Sequence, residues 1–125
     1  MKVFCIGNPA IPEDRLAWEL ADELKIEGVD MITCGSPEEL FGHGENPLVI
    51  MDVARGIDEV KVMDDLSKIR TGRMISLHDF DLATFLKLME GMGELPQLKI
   101  IALPMGGDRA EVAKQAEEVL RGLAA

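Results

Sequence analysis

Three residues of this chain have the types and the settings that hold a divalent metal or move a proton: Asp14, Asp52 and His78. Asp14 closes the stretch "GNPAIPED" after the apolar run "KVFCI". Asp52 ends the apolar run of "VIMDVARG", and His78 lies in "SLHDFDL", ahead of a helical pattern. Two carboxylates and an imidazole offer oxygen and nitrogen donors suited to a divalent transition metal with open coordination positions. The same groups can serve as general base and acid in hydrolysis. Plainer roles compete. Asp14, preceded by Glu13, can cap a helix, and His78 can be a hydrogen-bonded loop residue. Asp52 resists that treatment, because a carboxylate at the end of an apolar strand must be solvated or paired. His43, between two glycines, reads as an exposed loop residue.

Other hydrolytic chemistries find little support. No Ser-His-Asp arrangement and no HExxH motif is present. Cys5 and Cys34 follow no CxxC spacing and sit in apolar runs, so they read as buried, reduced thiols without a partner base. The eight methionines read as core and gap filler rather than a thioether metal site.

The elements that must position these residues alternate between strand and helix. "KVFCI" (2–6) is a strand closed by Gly7-Asn8-Pro9. Leu16, Ala17, Leu20, Ala21 and Leu24 form the apolar stripe of a helix from Asp14 to about Glu27, ended by Gly28. "DMITC" (30–34) is a second strand, and "SPEEL" (36–40) has the Ser-Pro-acid pattern of a short helix start. "PLVIMDV" (47–53) is the most apolar strand and belongs near the sheet centre. "EVKVM" (59–63) alternates like a more exposed strand, and "RTGRMIS" (70–76) reads as a short extended piece or a loop. Asp79 or Asp81 caps a helix carrying Leu82, Phe85, Leu86 and Met89 that Gly91 stops. "QLKIIAL" (97–103) is the last strand, and a helix over about 108–123 carries Val112, Ala116, Val119 and Leu120 on one face. This order predicts one α/β domain spanning 1–125, a three-layer α/β/α sandwich. Its sheet is mainly parallel, with about five strands and room for one antiparallel strand. In such sheets ligands bind beyond the carboxyl ends of the strands, where the segments carrying Asp14, Asp52 and His78 can converge.

Composition narrows the partners. The chain has 125 residues, 13 Lys and Arg against 23 Asp and Glu, a net charge of −10 and a pI near 4.6. No basic cluster is present to displace counterions, so neither nucleic acid nor an anionic membrane is an expected partner. With four Phe, one Trp and no Tyr, the core must be aliphatic. "MKVFCIG" is too short for a signal-peptide core or a membrane span, which leads to the expectation of a soluble cytoplasmic protein.

Taken in order, "VFCIGNPAIPED", "TCGSPEEL", "LVIMDVARG", "SLHDFDLATFLKLM" and "IIALP" resemble the hydrogenase maturation endopeptidases over nearly the whole chain. That resemblance implies an endopeptidase that removes the C-terminal extension of a nickel-iron hydrogenase large-subunit precursor after nickel insertion. It implies Asp14, Asp52 and His78 as metal-binding and catalytic residues, with Glu13 the alternative at the first position. It also implies no tightly bound cofactor: nickel arrives with the precursor, and Cd or Zn can stand in for it in vitro. Arg15 stands where a glycine commonly follows the acidic pair, and "CGSPEEL" lacks the fuller Asp-Gly-Gly-Thr form. Those departures bear on substrate preference. Two other readings compete. One is a receiver-like signalling domain, which needs a lysine at the end of the last strand where "IIALPMGG" has none. The other is a non-catalytic hydrogenase assembly factor.

Overall fold

The computed structural model of the protein describes residues 1–8, 10–40, 44–64, 75–76 and 79–125. The strands are β1 (Lys2–Ile6), β2 (Asp30–Cys34), β3 (Leu48–Arg55), β4 (Lys61–Met63), β5 (Ile75–Ser76) and β6 (Leu98–Pro104). Three α-helices are described: α1 (Leu16–Glu23), α2 (Asp79–Gly91) and α3 (Arg109–Ala124). Two 3-10 turns, Pro12–Asp14 and Pro37–Leu40, follow β1 and β2.

The sheet runs β2-β1-β3-β6-β4, with β5 attached to the end of β3. β2, β1, β3 and β6 are mutually parallel, as the alternating sequence requires. β4 is antiparallel to β6, and β5 is antiparallel to β3. The most apolar segment, β3, lies at the middle of the sheet, where both of its faces are covered and no polar side is needed. β4 forms an edge strand with Lys61 and Val62 exposed and Met63 buried, so it is the more exposed strand expected, but the alternation of "EVKVM" does not carry through it.

Side chains alternate between two cores. On one face Phe4, Ile6, Ile50 and Ile100 pack with Leu40, Leu86 and Met89, the last two from α2. On the other, Val3, Cys5, Val49, Met51 and Ile101 meet Ala17 and Leu20 of α1 and Val112, Ala116 and Leu120 of α3. The result is the three-layer α/β/α sandwich, with α2 on one side and α1 and α3 on the other. No helix among the described residues is long and apolar enough to cross a membrane.

Some helix limits differ from the sequence reading. α1 ends at Glu23, and Leu24 turns extended (φ −81°, ψ 117°) while its N–H still bonds to the Leu20 carbonyl. The chain leaves the helix there and buries Ile26 before a turn at Gly28, whose φ is +82°. α3 begins one residue after Asp108, whose carboxylate accepts from the Ala110 N–H at 2.9 Å as an N-cap. Gly91 lies inside the last turn of α2 rather than beyond it.

Candidate active site at the carboxyl edge

The turn that carries Asp14 is built by the residues just after β1. Gly7 follows the strand where a Cβ would come within 2.6 Å of the Asp14 carbonyl oxygen and 3.1 Å of the Trp18 ring, so only glycine fits. The Asn8 N–H donates to that same carbonyl at 3.2 Å, and its side-chain oxygen accepts from the Ala10 N–H at 3.0 Å. Pro12 pre-sets the backbone for a 3-10 turn in which the Asp14 N–H donates to the Ile11 carbonyl at 2.9 Å. Gly7 and Asn8 thus clamp the Asp14 backbone. Trp18 ties this loop to β2: its indole N–H donates to the Cys34 carbonyl at 3.3 Å, which also accepts from the Gly7 N–H at 3.2 Å. The sequence carries no signal for that role beyond a lone Trp on a half-buried helix face.

Asp14 is not the cap of α1. That position belongs to Arg15, and no side chain caps the helix. Asp14 is instead the last residue of the 3-10 turn and is 3% exposed, whereas its neighbour Glu13 is exposed. The two acids of "PED" therefore have different environments, which sequence alone leaves equivalent.

Asp52 lies in β3, one residue past the last β1–β3 pair, Cys5 with Met51, and opposite Ala102 of β6. It is 2% exposed, and one carboxylate oxygen accepts from the Val53 N–H at 2.9 Å. Strand alternation puts it on the face of Ile50 and Ala54, which α2 covers. Asp14 and Asp52 are the two buried charged residues among the described residues, and both stand at the carboxyl edge of adjacent parallel strands.

His78 and His43 lie outside the described residues. The chain on either side of His78 is described. Ile75 and Ser76 pair with Arg55 and Ala54, two to three residues past Asp52, and α2 starts at Asp79. Among the described residues, no group of three His, Cys, Asp or Glu is spaced to hold a metal ion.

The thiols are placed for inertness. Cys5 belongs to the core under α1 and α3, and Cys34 to the core under α2, so they face opposite sides of the sheet. Burial, with a smaller contribution from Cys34, pushes the Cys5 thiol up to about 12. Burial and then the Glu39 carboxylate push Cys34 up to about 11. Buried thiols held above their ordinary range are poor nucleophiles at neutral pH, which argues against a cysteine mechanism. Glu39 is held elsewhere: its carboxylate accepts from the Gly35 and Ser36 N–H groups, a capping-box arrangement within "GSPEE".

A cavity of about 180 Å3 opens on the opposite face of the same edge, between the Pro12–Asp14 turn, α1, the end of β3 and the β6–α3 loop. A larger cavity of about 430 Å3 lies at the amino end of β3, lined by Leu40, Asn46, Leu48, Met89 and Pro96 among others.

No protein-family model and no curated protein matches the sequence. Solved structures do match, and they define the class of fold. It is the fold of the hydrogenase maturation proteases. The NiFe hydrogenase maturation protease HybD from Thermococcus kodakarensis superposes with a TM-score of 0.75 at 19% identity, covering 100% of both chains. The hydrogenase maturating endopeptidase HybD from E. coli gives 0.61 at 16% identity, over 98% of this chain and 92% of that one. The hydrogenase 2 maturation peptidase from a Thaumarchaeota archaeon gives 0.51 at 17% identity, over 98% and 97%. The receiver-like reading loses ground here, since β6 ends in Leu103 and Pro104 with Met105 next, and no lysine stands there to meet a phosphoryl group.

Proposed function

We propose that this chain is an endopeptidase that removes the C-terminal extension of a nickel-iron hydrogenase large-subunit precursor after nickel has been inserted. The observation that supports this reading is a pair of buried carboxylates, Asp14 and Asp52, at the carboxyl edge of β1 and β3 in a chain with the maturation-protease fold. Burying a carboxylate costs several kcal/mol unless a partner compensates it. Two carboxylates gathered at the edge where α/β sheets bind ligands suit a cationic visitor.

In this account Asp14, Asp52 and His78 contact the nickel that the precursor carries and so test whether it has been loaded. The enzyme keeps no tightly bound metal of its own. Water attacks the carbonyl carbon of the scissile bond, the C–N bond breaks, and the leaving amine takes up a proton. The shared nickel acts as a Lewis acid and makes that water more acidic, while a carboxylate accepts its proton. With their thiols buried and raised, Cys5 and Cys34 do not compete as nucleophiles.

The test is incubation of the purified chain with nickel-loaded and nickel-free precursor, read by mass spectrometry. Loss of the C-terminal extension from the loaded form alone is expected. Binding of the loaded precursor without any cut would instead identify an assembly factor, and equal cutting of both forms would sink the nickel-reading role.

A further inference from the structure

Asp52 faces the α2 side of the carboxyl edge. The cavity of about 180 Å3 lies across that edge, on the face covered by α1 and α3. Its walls include the apolar side chains of Leu16, Val53 and Pro104, and Glu13, Glu19 and Arg109 also line it. Arg109 is already engaged. Its two terminal nitrogens donate to both oxygens of Glu23 at 3.2 and 2.7 Å, and Glu19 stands 3.8 Å from the same guanidinium. A bidentate pair of this kind neutralises the arginine. Glu13 is exposed and makes no hydrogen bond or ion pair among the described residues. Two carboxylates, Glu13 and Glu19, line the cavity, and the charge of its one guanidinium is already met by Glu23 beyond the lining, so the rim is acidic.

Apolar walls under an acidic rim fit one kind of side chain, an aliphatic stem that ends in a cation. Position adds the rest. Val53 in the wall is the chain neighbour of Asp52, but its side chain points to the opposite face. A peptide lying over Asp52 must cross the sheet edge to reach the cavity. Layers in such folds stand roughly 10 Å apart, and an extended chain covers about 3.3 Å per residue, so the crossing takes about three residues.

We propose that this cavity is a specificity subsite that receives a lysine or arginine side chain of the precursor, about three residues from the bond that is cut. The inference rests on the endopeptidase reading and adds to it a chemical class of substrate side chain. Glu13 and Glu19 are specificity residues in this account, drawing the cation to a site whose own arginine is already paired. Because both are solvent-exposed, the preference weakens as ionic strength rises.

The experiment compares two nickel-loaded precursors that differ only by Lys→Gln at that position, using wild type and the Glu13→Gln/Glu19→Gln variant. Wild type is expected to favour the lysine form by about fivefold in kcat/KM, the ratio that an exposed ion pair supports. In the double variant the ratio is expected to fall to about one, and Glu13→Lys should favour a glutamate-bearing precursor. A ratio near one in wild type, or an unchanged ratio in the double variant, overturns the subsite while leaving the endopeptidase intact. If wild type cuts neither precursor, the endopeptidase reading fails. Binding of the same two tail peptides, read by anisotropy, then decides the subsite, and equal affinities reject it.

Discussion

The two ends of the sheet make opposite use of their space. The amino end of β3 has the larger cavity, about 430 Å3, yet the charged residues described in its lining, Glu45 and Glu94, are not buried. The carboxyl end has a cavity less than half that size on one face and carries both buried carboxylates, Asp14 and Asp52. Volume is what incomplete packing between α2, Leu48 and the loop before β3 leaves behind. Buried charge has to be maintained against its desolvation cost. The carboxyl end is therefore where function is to be sought, even though it is the less roomy of the two.

Mutating each end in turn sharpens this contrast. At the carboxyl end, Asp52→Asn and Asp14→Asn preserve shape while removing the charge. Each is expected to lower cleavage of a nickel-loaded precursor by roughly 100- to 10,000-fold, the range of a lost acid–base group, as measured in single-turnover assays. At the amino end, Leu48→Ala should instead cost stability, about 2–5 kcal/mol by urea denaturation, because Leu48 is 3% exposed and anchors the core under α2. Its folded fraction should cut at the wild-type rate. A large loss of rate on Leu48→Ala, with little from the aspartates, would reverse the assignment of the two ends.

The thiols give a smaller effect with a defined sign. Cys5 and Cys34 are raised from 9.0 in the folded chain, so above pH 9 the unfolded chain sheds protons that the folded chain keeps. Their contribution to stability is complete below that pH and is lost as pH rises toward about 11 for Cys34 and about 12 for Cys5. Chemical denaturation between pH 7 and 10.5 should show a plateau and then a decline. Iodoacetamide at pH 8 should label neither thiol until the chain unfolds. The smallest effect is expected at the Arg109–Glu23 pair, which links the start of α3 to the end of α1. Glu23→Gln should cost about 0.2–1 kcal/mol, as exposed ion pairs do, and thermal unfolding can resolve it.

Much of this organisation was legible in the sequence because it is periodic. The run "PLVIMDV" reads as a doubly covered strand and occupies the middle of the sheet. The stripe through Val112, Ala116 and Leu120 reads as a helix and packs as one. The antiparallel pairing of β5 with β3 was not legible, since two residues are too few to show a period. α1 continues its apolar stripe through Leu24 in sequence but ends at Glu23, because burying Ile26 requires an extended chain. The site was legible only by residue type. "PED" presents two equivalent acids, and the buried one emerges only when Gly7, Asn8 and Pro12 fold the backbone around Asp14. Trp18, which ties that loop to β2, carries no local pattern that marks its role.

The central claim is that Asp14, Asp52 and His78 read a metal together at the carboxyl edge. Its most direct test is calorimetric titration of Cd2+ into wild type, Asp52→Asn and His78→Ala, with circular dichroism to establish that all three are folded. The account predicts binding by wild type that is lost in each variant. Equal binding by all three proteins, or none by wild type, would contradict it.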